Sequence, residues 1–247
     1  MADSALEYQE PPAGAPWGLR DMVVAGLATI GLVIVGVVVA LVVAVAWSGL
    51  GLPGLSPGVQ VFLIFGLEAL LIVPAWIWGP GKHGGGWDRL GLRPFAPLRG
   101  LAWVIGGLVA ILAINVVWEG IRQRLGWPGQ PDFLPIFGEG VGGLALALFL
   151  GGVVAPIAEE VFFRGYLYAG ARSRWGVVWG AIASSVVFAL VHVTPGVLPP
   201  IMVMALIFVI LYERTRSIWP CIILHGAVNS LAFIGAFLAE RFPEMTG

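Results

Sequence analysis

The chain has 247 residues, 59% of them hydrophobic and only 11% charged, with a formal net charge of −1. A soluble domain carries about 25% charged residues, so a soluble monomer, a disordered chain and a nucleic-acid-binding protein are all excluded. The single cysteine, Cys221, permits no intrachain disulfide and cannot by itself form a thiolate metal cage.

Residues 1–18 hold Asp3, Glu7 and Glu10 among Pro11, Pro12 and Pro16 and read as a disordered tail. Residues 19–247 read as a single transmembrane domain. The first apolar run, 22–47, carries no charge and exceeds the ~20 residues that cross a bilayer. Its Ala44-Val45-Ala46 triplet resembles a signal-peptide cleavage site. The run is too long for a signal h-region of about 7–15 residues, and no basic stretch precedes it, so an uncleaved span is predicted. Further apolar runs fall at 59–79, 101–118, 141–163, 176–193, 200–213 and 218–238. The fold class this predicts is all-α: a polytopic bundle of about seven membrane segments. The sixth run is short and follows Pro199-Pro200, which predicts a tilted or partial insertion. Tryptophans such as Trp47, Trp78, Trp118 and Trp219 stand near the expected ends, as an interfacial belt requires. With the N-terminus inside, nine Lys and Arg fall in inner loops and three (Arg122, Arg124, Arg241) in outer ones. That asymmetry predicts a cytoplasmic N-terminus.

Ionisable groups within a span cost about 2.5–3.5 kcal/mol each, so each needs a reason to be there. The densest cluster is Glu159-Glu160-Val161-Phe162-Phe163-Arg164, inside the apolar run 144–168. Glu160 and Arg164 are four apart and share a helix face, so they can pair. Glu159 points about 100° away and has no local partner. Pro156 removes one amide donor, and a kink is expected near Gly152. Two of the three histidines also fall in spans: His192, following Phe188, and His225, four residues before Asn229. A lone histidine there is commonly an interhelical hydrogen bonder. Glu159 lies thirteen residues from Arg172, His192 sixteen from Gly176 and His225 nine from Arg216. At 1.5 Å per residue these are depths of about 20, 24 and 14 Å, so three helices can converge near mid-membrane.

Two histidines with carboxylates suit an activated water. In a metal route, His192, His225 and Glu159 bind zinc and leave one position open. In a metal-free route Glu159 is the base, His192 holds the water, and His225 and Asn229 donate to the developing oxyanion. Because Glu160 pairs with Arg164, one unencumbered carboxylate remains, which tilts the choice towards the metal-free route. Ser184 and Ser185 precede His192 by about two turns, but nothing in the sequence activates them.

Glu159-Glu160-x-x-x-Arg164, Phe188-x-x-x-His192 and His225-x-x-x-Asn229 together resemble the motif set of the CPBP intramembrane proteases. This family comprises type II CAAX prenyl endopeptidases and bacteriocin-processing or self-immunity proteins. The resemblance covers about residues 140–235, in family order, and Leu90-Gly91-Leu92-Arg93 resembles the approach to that core. It implies an endopeptidase acting on a membrane-bound or prenylated substrate, in a bacterial plasma membrane, with the lipid bilayer as its other partner. Carried over by position, Glu159 activates water and Glu160 with Arg164 supports it. His192 is the second water-holding group, and His225 and Asn229 form the oxyanion side. In the older metalloprotease reading, His225 is a ligand. Glu68, in the second span, lies outside the motif set and reads as a packing residue rather than part of a substrate pathway. Two other functional classes stay open: a non-enzymatic immunity or scaffold protein with a structural polar network, and a proton-coupled transporter. The latter is disfavoured by the lack of pseudo-symmetric halves.

Overall fold

A computed structural model describes residues 14–49, 61, 65–66, 68–129, 132–192, 194–242 and 244. Every regular element among them is helical. Five stretches are long and apolar enough to cross a membrane: Leu19–Ala46, Pro97–Leu125, Gly140–Leu190, Pro195–Thr215 and Trp219–Arg241. These five do not confirm the expected count of seven. Most of the expected second span, 59–79, lies outside the described residues. The expected fourth and fifth spans form one run, Gly140–Leu190, of 51 residues.

Helix α1 (Leu19–Gly49) is exposed or half-exposed at every described side chain beyond Ala25, as a lipid-facing helix must be. Its start is anchored. The Trp17 indole N–H donates to the Tyr166 carbonyl at 2.9 Å, and the two rings stack at 5.3 Å. Of the expected disordered tail, residues 1–13 lie outside the described residues, whereas Trp17 is buried. Asp21 accepts from Lys82 at 2.5 Å and lies 3.0 Å from His83 Nε2, which ties α1 to the chain that follows α2 (Ile72–Trp76).

Helix α3 (Pro97–Leu125) begins at a proline, whose missing N–H costs nothing at a helix start. The run Gly140–Leu190 then contains α4 (Gly140–Phe149), a π-helical turn at Leu150–Val154, α5 (Ala155–Glu160), a second π-helical stretch at Val161–Tyr168, and α6 (Ala169–Leu190). The chain reverses inside α6 at Gly176, where φ is +78°, a conformation open to glycine and strained for other residues. Beyond it the helix folds back so closely that a Cβ on Gly180 would lie 2.8 Å from the Arg172 amide nitrogen. This reversal makes two limbs from one run.

Helix α7 (Leu198–Thr215) with its 3-10 entry gives 21 residues, longer than the 14 apolar ones read from the sequence. Prolines at a first turn extend a helix start rather than end it, which corrects the short sixth segment. Helix α8 (Trp219–Arg241) packs against α3, α7 and the residues of α5. In lipid, little hydrophobic force drives helices together, so close approach of small residues and buried polar contacts do that work. Gly226 of α8 faces Gly152, and a Cβ on Gly226 would collide with the Gly152 carbonyl oxygen.

Candidate functional site

Pro156 starts the local structure. It has no amide hydrogen to return to the preceding turn, and that turn is π-helical. The Gly151 carbonyl accepts instead from Asn229 Nδ2 of α8, at 2.9 Å. The kink expected from Pro156 is thus a change of helical register stitched to another helix. Single π-helical turns inside α-helices recur at functional sites, and a second one begins directly after Glu160.

Glu160 and Arg164 are paired, with Arg164 Nη1 3.0 Å from Glu160 Oε1. The same oxygen lies 2.9 Å from His225 Nδ1. Glu160, Arg164 and His225 are 0%, 1% and 2% exposed. The Arg164 guanidinium lies over the Phe188 and Phe208 rings, 4.3 and 4.8 Å from their centroids, and reaches the Ala205 carbonyl at 3.5 Å. The His225 ring is 5.1 Å from Phe208 and 5.9 Å from Phe188. Two aromatic side chains therefore bracket the charged pair and hold the imidazole plane. A carboxylate that accepts from Nδ1 also fixes which ring nitrogen is turned outward.

The outward nitrogen of His225, Nε2, is 4.0 Å from Glu159 Oε2. That is too long for a hydrogen bond. Glu159 is buried, and its Oε2 finds no protein N–H or hydroxyl donor. Glu68, read from the sequence as a packing residue, is half-buried.

His192 follows the end of α6, half-buried, with Nδ1 2.8 Å from the Phe188 carbonyl. That contact makes Nδ1 the protonated nitrogen and leaves Nε2 an acceptor. The His192 ring is 4.9 Å from Phe188, so Phe188 touches both histidines. The structure thus gathers Glu159, Glu160, Arg164 and His225 directly, adds Asn229 one turn along α8, and connects His192 through Phe188. Ser184 hydroxyl donates to the Ala181 carbonyl at 3.2 Å, a packing arrangement. Among the described residues, no group of three or more His, Cys, Asp or Glu side chains is gathered to hold a metal ion.

Residues 141–231 match the family described as Type II CAAX prenyl endopeptidase Rce1-like. All seven residues named by the three motifs lie within the matched stretch, whereas Glu68 lies outside it. The chain is similar to the "Putative membrane peptidase YdiL" of Bacillus subtilis (strain 168), at 30% identity over 89 residues, 36% of each chain. It is also similar to an "Uncharacterized 24.3 kDa protein" of Escherichia coli, at 29% identity over 96 residues, 38% of this chain and 43% of that one. The match therefore spans less than half the length of either relative. No solved structure matches. The Rce1-like stretch runs from the start of α4 into α8. With the five apolar helices, this similarity supports an integral membrane protein.

Proposed function

We propose that this protein is an intramembrane endopeptidase that hydrolyses a peptide bond in a membrane-bound or prenylated CAAX-type substrate, with Glu159 as the base. The observation that carries the reading is the 4.0 Å gap between Glu159 Oε2 and His225 Nε2, buried and without another protein donor at the oxygen. Two groups at that separation can both hydrogen-bond one water molecule. Glu159 takes a proton from the water as its oxygen bonds to the scissile carbonyl carbon. His192 Nε2, an acceptor, holds the same water. The carbonyl oxygen gains charge and is met by His225 Nε2–H and by the second Asn229 N–H, the first being committed to Gly151. With Nδ1 turned to the Glu160 carboxylate, Nε2 is the His225 nitrogen that faces this space. Collapse of the intermediate breaks the C–N bond, and Glu159 returns the proton to the leaving amine.

The family match supports the reaction class, and the buried polar cluster supports the assignment of roles. The test is cleavage of a prenylated CAAX-type peptide by purified protein, comparing wild type with Glu159→Gln. The proposal expects cleavage by wild type and a loss of at least about a hundredfold in the variant, the range removed with a general base. Equal function of the two proteins would assign the cluster to structure instead.

A further inference from the structure

A second concentration of charge lies away from the Glu160 cluster, at the end of the bundle where α1 starts. Arg89, Arg93, Arg172 and Arg216 line one partly enclosed cavity together with Glu213. Arg172 precedes the reversal of α6, Arg216 closes α7, and Arg89 and Arg93 stand on either side of the turn that ends the 3-10 helix Trp87–Leu90. Glu213 lies 2.7 Å from Arg172 Nε and 2.8 Å from Arg216 Nη1, and accepts from the Tyr168 hydroxyl at 2.9 Å. Among the described residues, neither Arg89 nor Arg93 closes an ion pair. Arg93 Nε–H donates instead to the Asp88 carbonyl, at 2.6 Å. Four guanidiniums facing one carboxylate leave the walls strongly positive. Those walls are also fixed. The Ile218 amide donates to the Gly91 carbonyl at 2.9 Å and the Ser217 hydroxyl to the Arg93 carbonyl at 2.6 Å, so the loop with Arg89 and Arg93 is stitched to the turn that follows Arg216. Trp17, whose N–H is committed to Tyr166, supplies an aromatic wall.

We propose that this cavity is a binding site for a phosphate anion, of the kind carried by an anionic phospholipid headgroup or by free phosphate. A bias of positive charge towards one side of the membrane asks only that Lys and Arg lie in short loops. It does not ask four of them to line one cavity. A guanidinium presents five N–H donors in a planar fork that matches phosphate oxygens. Glu213 orients two of the forks and leaves most of their donors free, while Arg89 and Arg93 bring charge that no carboxylate offsets. Walls held in place before a ligand arrives lose little freedom on binding it, which favours affinity. The cavity lies where α1 begins, α6 reverses and α7 ends, the level at which helices leave the hydrocarbon and meet headgroups. Basic pockets between membrane helices take lipid headgroups by this chemistry. A bound phosphate joins four separate segments of the chain and so stabilises the folded protein by mass action. The site stands whether or not the endopeptidase reading does.

The test uses the full chain in a neutral detergent, titrated separately with phosphatidylglycerol, phosphatidylcholine and inorganic phosphate. Native mass spectrometry counts bound lipid, and thermal shift reads the unfolding midpoint. Wild type is expected to retain one phosphatidylglycerol and to unfold at a higher temperature with it. Phosphatidylcholine, whose choline cancels the phosphate charge, should do neither. Arg89→Gln/Arg93→Gln should weaken phosphatidylglycerol binding by about twentyfold, at roughly 1 kcal/mol for each arginine. Arg99→Gln/Arg174→Gln removes the same charge from exposed positions outside the cavity and should keep wild-type affinity. Inorganic phosphate that raises the midpoint alone and displaces the lipid would make free phosphate the source, whereas a response to phosphatidylglycerol only would make it the headgroup. Equal binding of the two lipids with no response to phosphate, or equal losses in the two double variants, would overturn the site. The midpoint in phosphatidylcholine checks that the variants fold. If Arg89→Gln/Arg93→Gln lowers it, Arg89→Gln alone decides, with about a fivefold loss expected and wild-type affinity overturning the site.

Discussion

Glu160 accepts from Arg164 and His225 at one oxygen, in a place where neither partner meets solvent. Removing either partner of such a buried pair leaves a bare charge and typically costs about 3–5 kcal/mol. Glu160→Gln and Arg164→Ala should therefore lower the apparent unfolding midpoint in detergent, and not merely the activity. Glu159→Gln should leave that midpoint close to wild type, because Glu159 closes no ion pair. A variant pair with the opposite pattern would exchange the two roles. Arg164→Lys is not expected to rescue the pair, since a lysine cannot stack its head as a flat guanidinium does between the Phe188 and Phe208 rings. At this scale much was legible in the sequence. The i, i+4 spacing predicts the Glu160–Arg164 pair, and counting depth from flanking charges brings Glu159 and His225 together. The Glu160–His225 contact was not legible, because depth carries no information about which way a helix is rotated.

The elements hold these residues through close backbone approach. Gly226 adjoins His225 and abuts the Gly152 carbonyl, and Gly152 in turn faces Ser230, whose hydroxyl oxygen would lie 2.6 Å from a Cβ there. Gly226→Ala should push α8 away from the π-helical turn, at a cost of about 1–3 kcal/mol for overpacking. It should also reduce cleavage by moving His225 off Glu160, and both changes are readable in one thermal-shift and activity series. Gly165 is as tightly placed, against the Leu90 carbonyl. That contact gives a physical reason for Leu90-Gly91-Leu92-Arg93 to precede the core. Gly91 accepts from the Ile218 amide at 2.9 Å, and the Arg93 carbonyl accepts from the Ser217 hydroxyl at 2.6 Å. Hydrophobic runs predicted the helices but not their register. The spans read at 141–163 and 176–193 are the two limbs of one helical run that turns at Gly176, and the sixth was read as short because its opening prolines were taken as a stop.

On the scale of the whole molecule, lipid-exposed helices surround a polar centre built from the C-terminal half. Chain before the family stretch reaches that half through Trp17 against Tyr166, Leu90 against Gly165, and Gly91 and Arg93 against Ile218 and Ser217. Trp17→Ala removes both the hydrogen bond and the stacking that dock the start of α1. It should raise proteolytic nicking of the N-terminal residues without altering kcat, a split that limited proteolysis beside an activity assay can read. The all-helical membrane architecture was legible from composition alone, because so little charge leaves no other place for the surface. The number of spans was not, since crossing a membrane depends on where helices bend. The most direct measurement of the central claim is cleavage of a prenylated CAAX-type peptide by wild type and by Glu159→Gln, each with and without chelator. The account predicts cleavage by wild type that chelator does not change, and none by the variant. Cleavage that persists in Glu159→Gln, or that chelator abolishes and zinc restores, would contradict it.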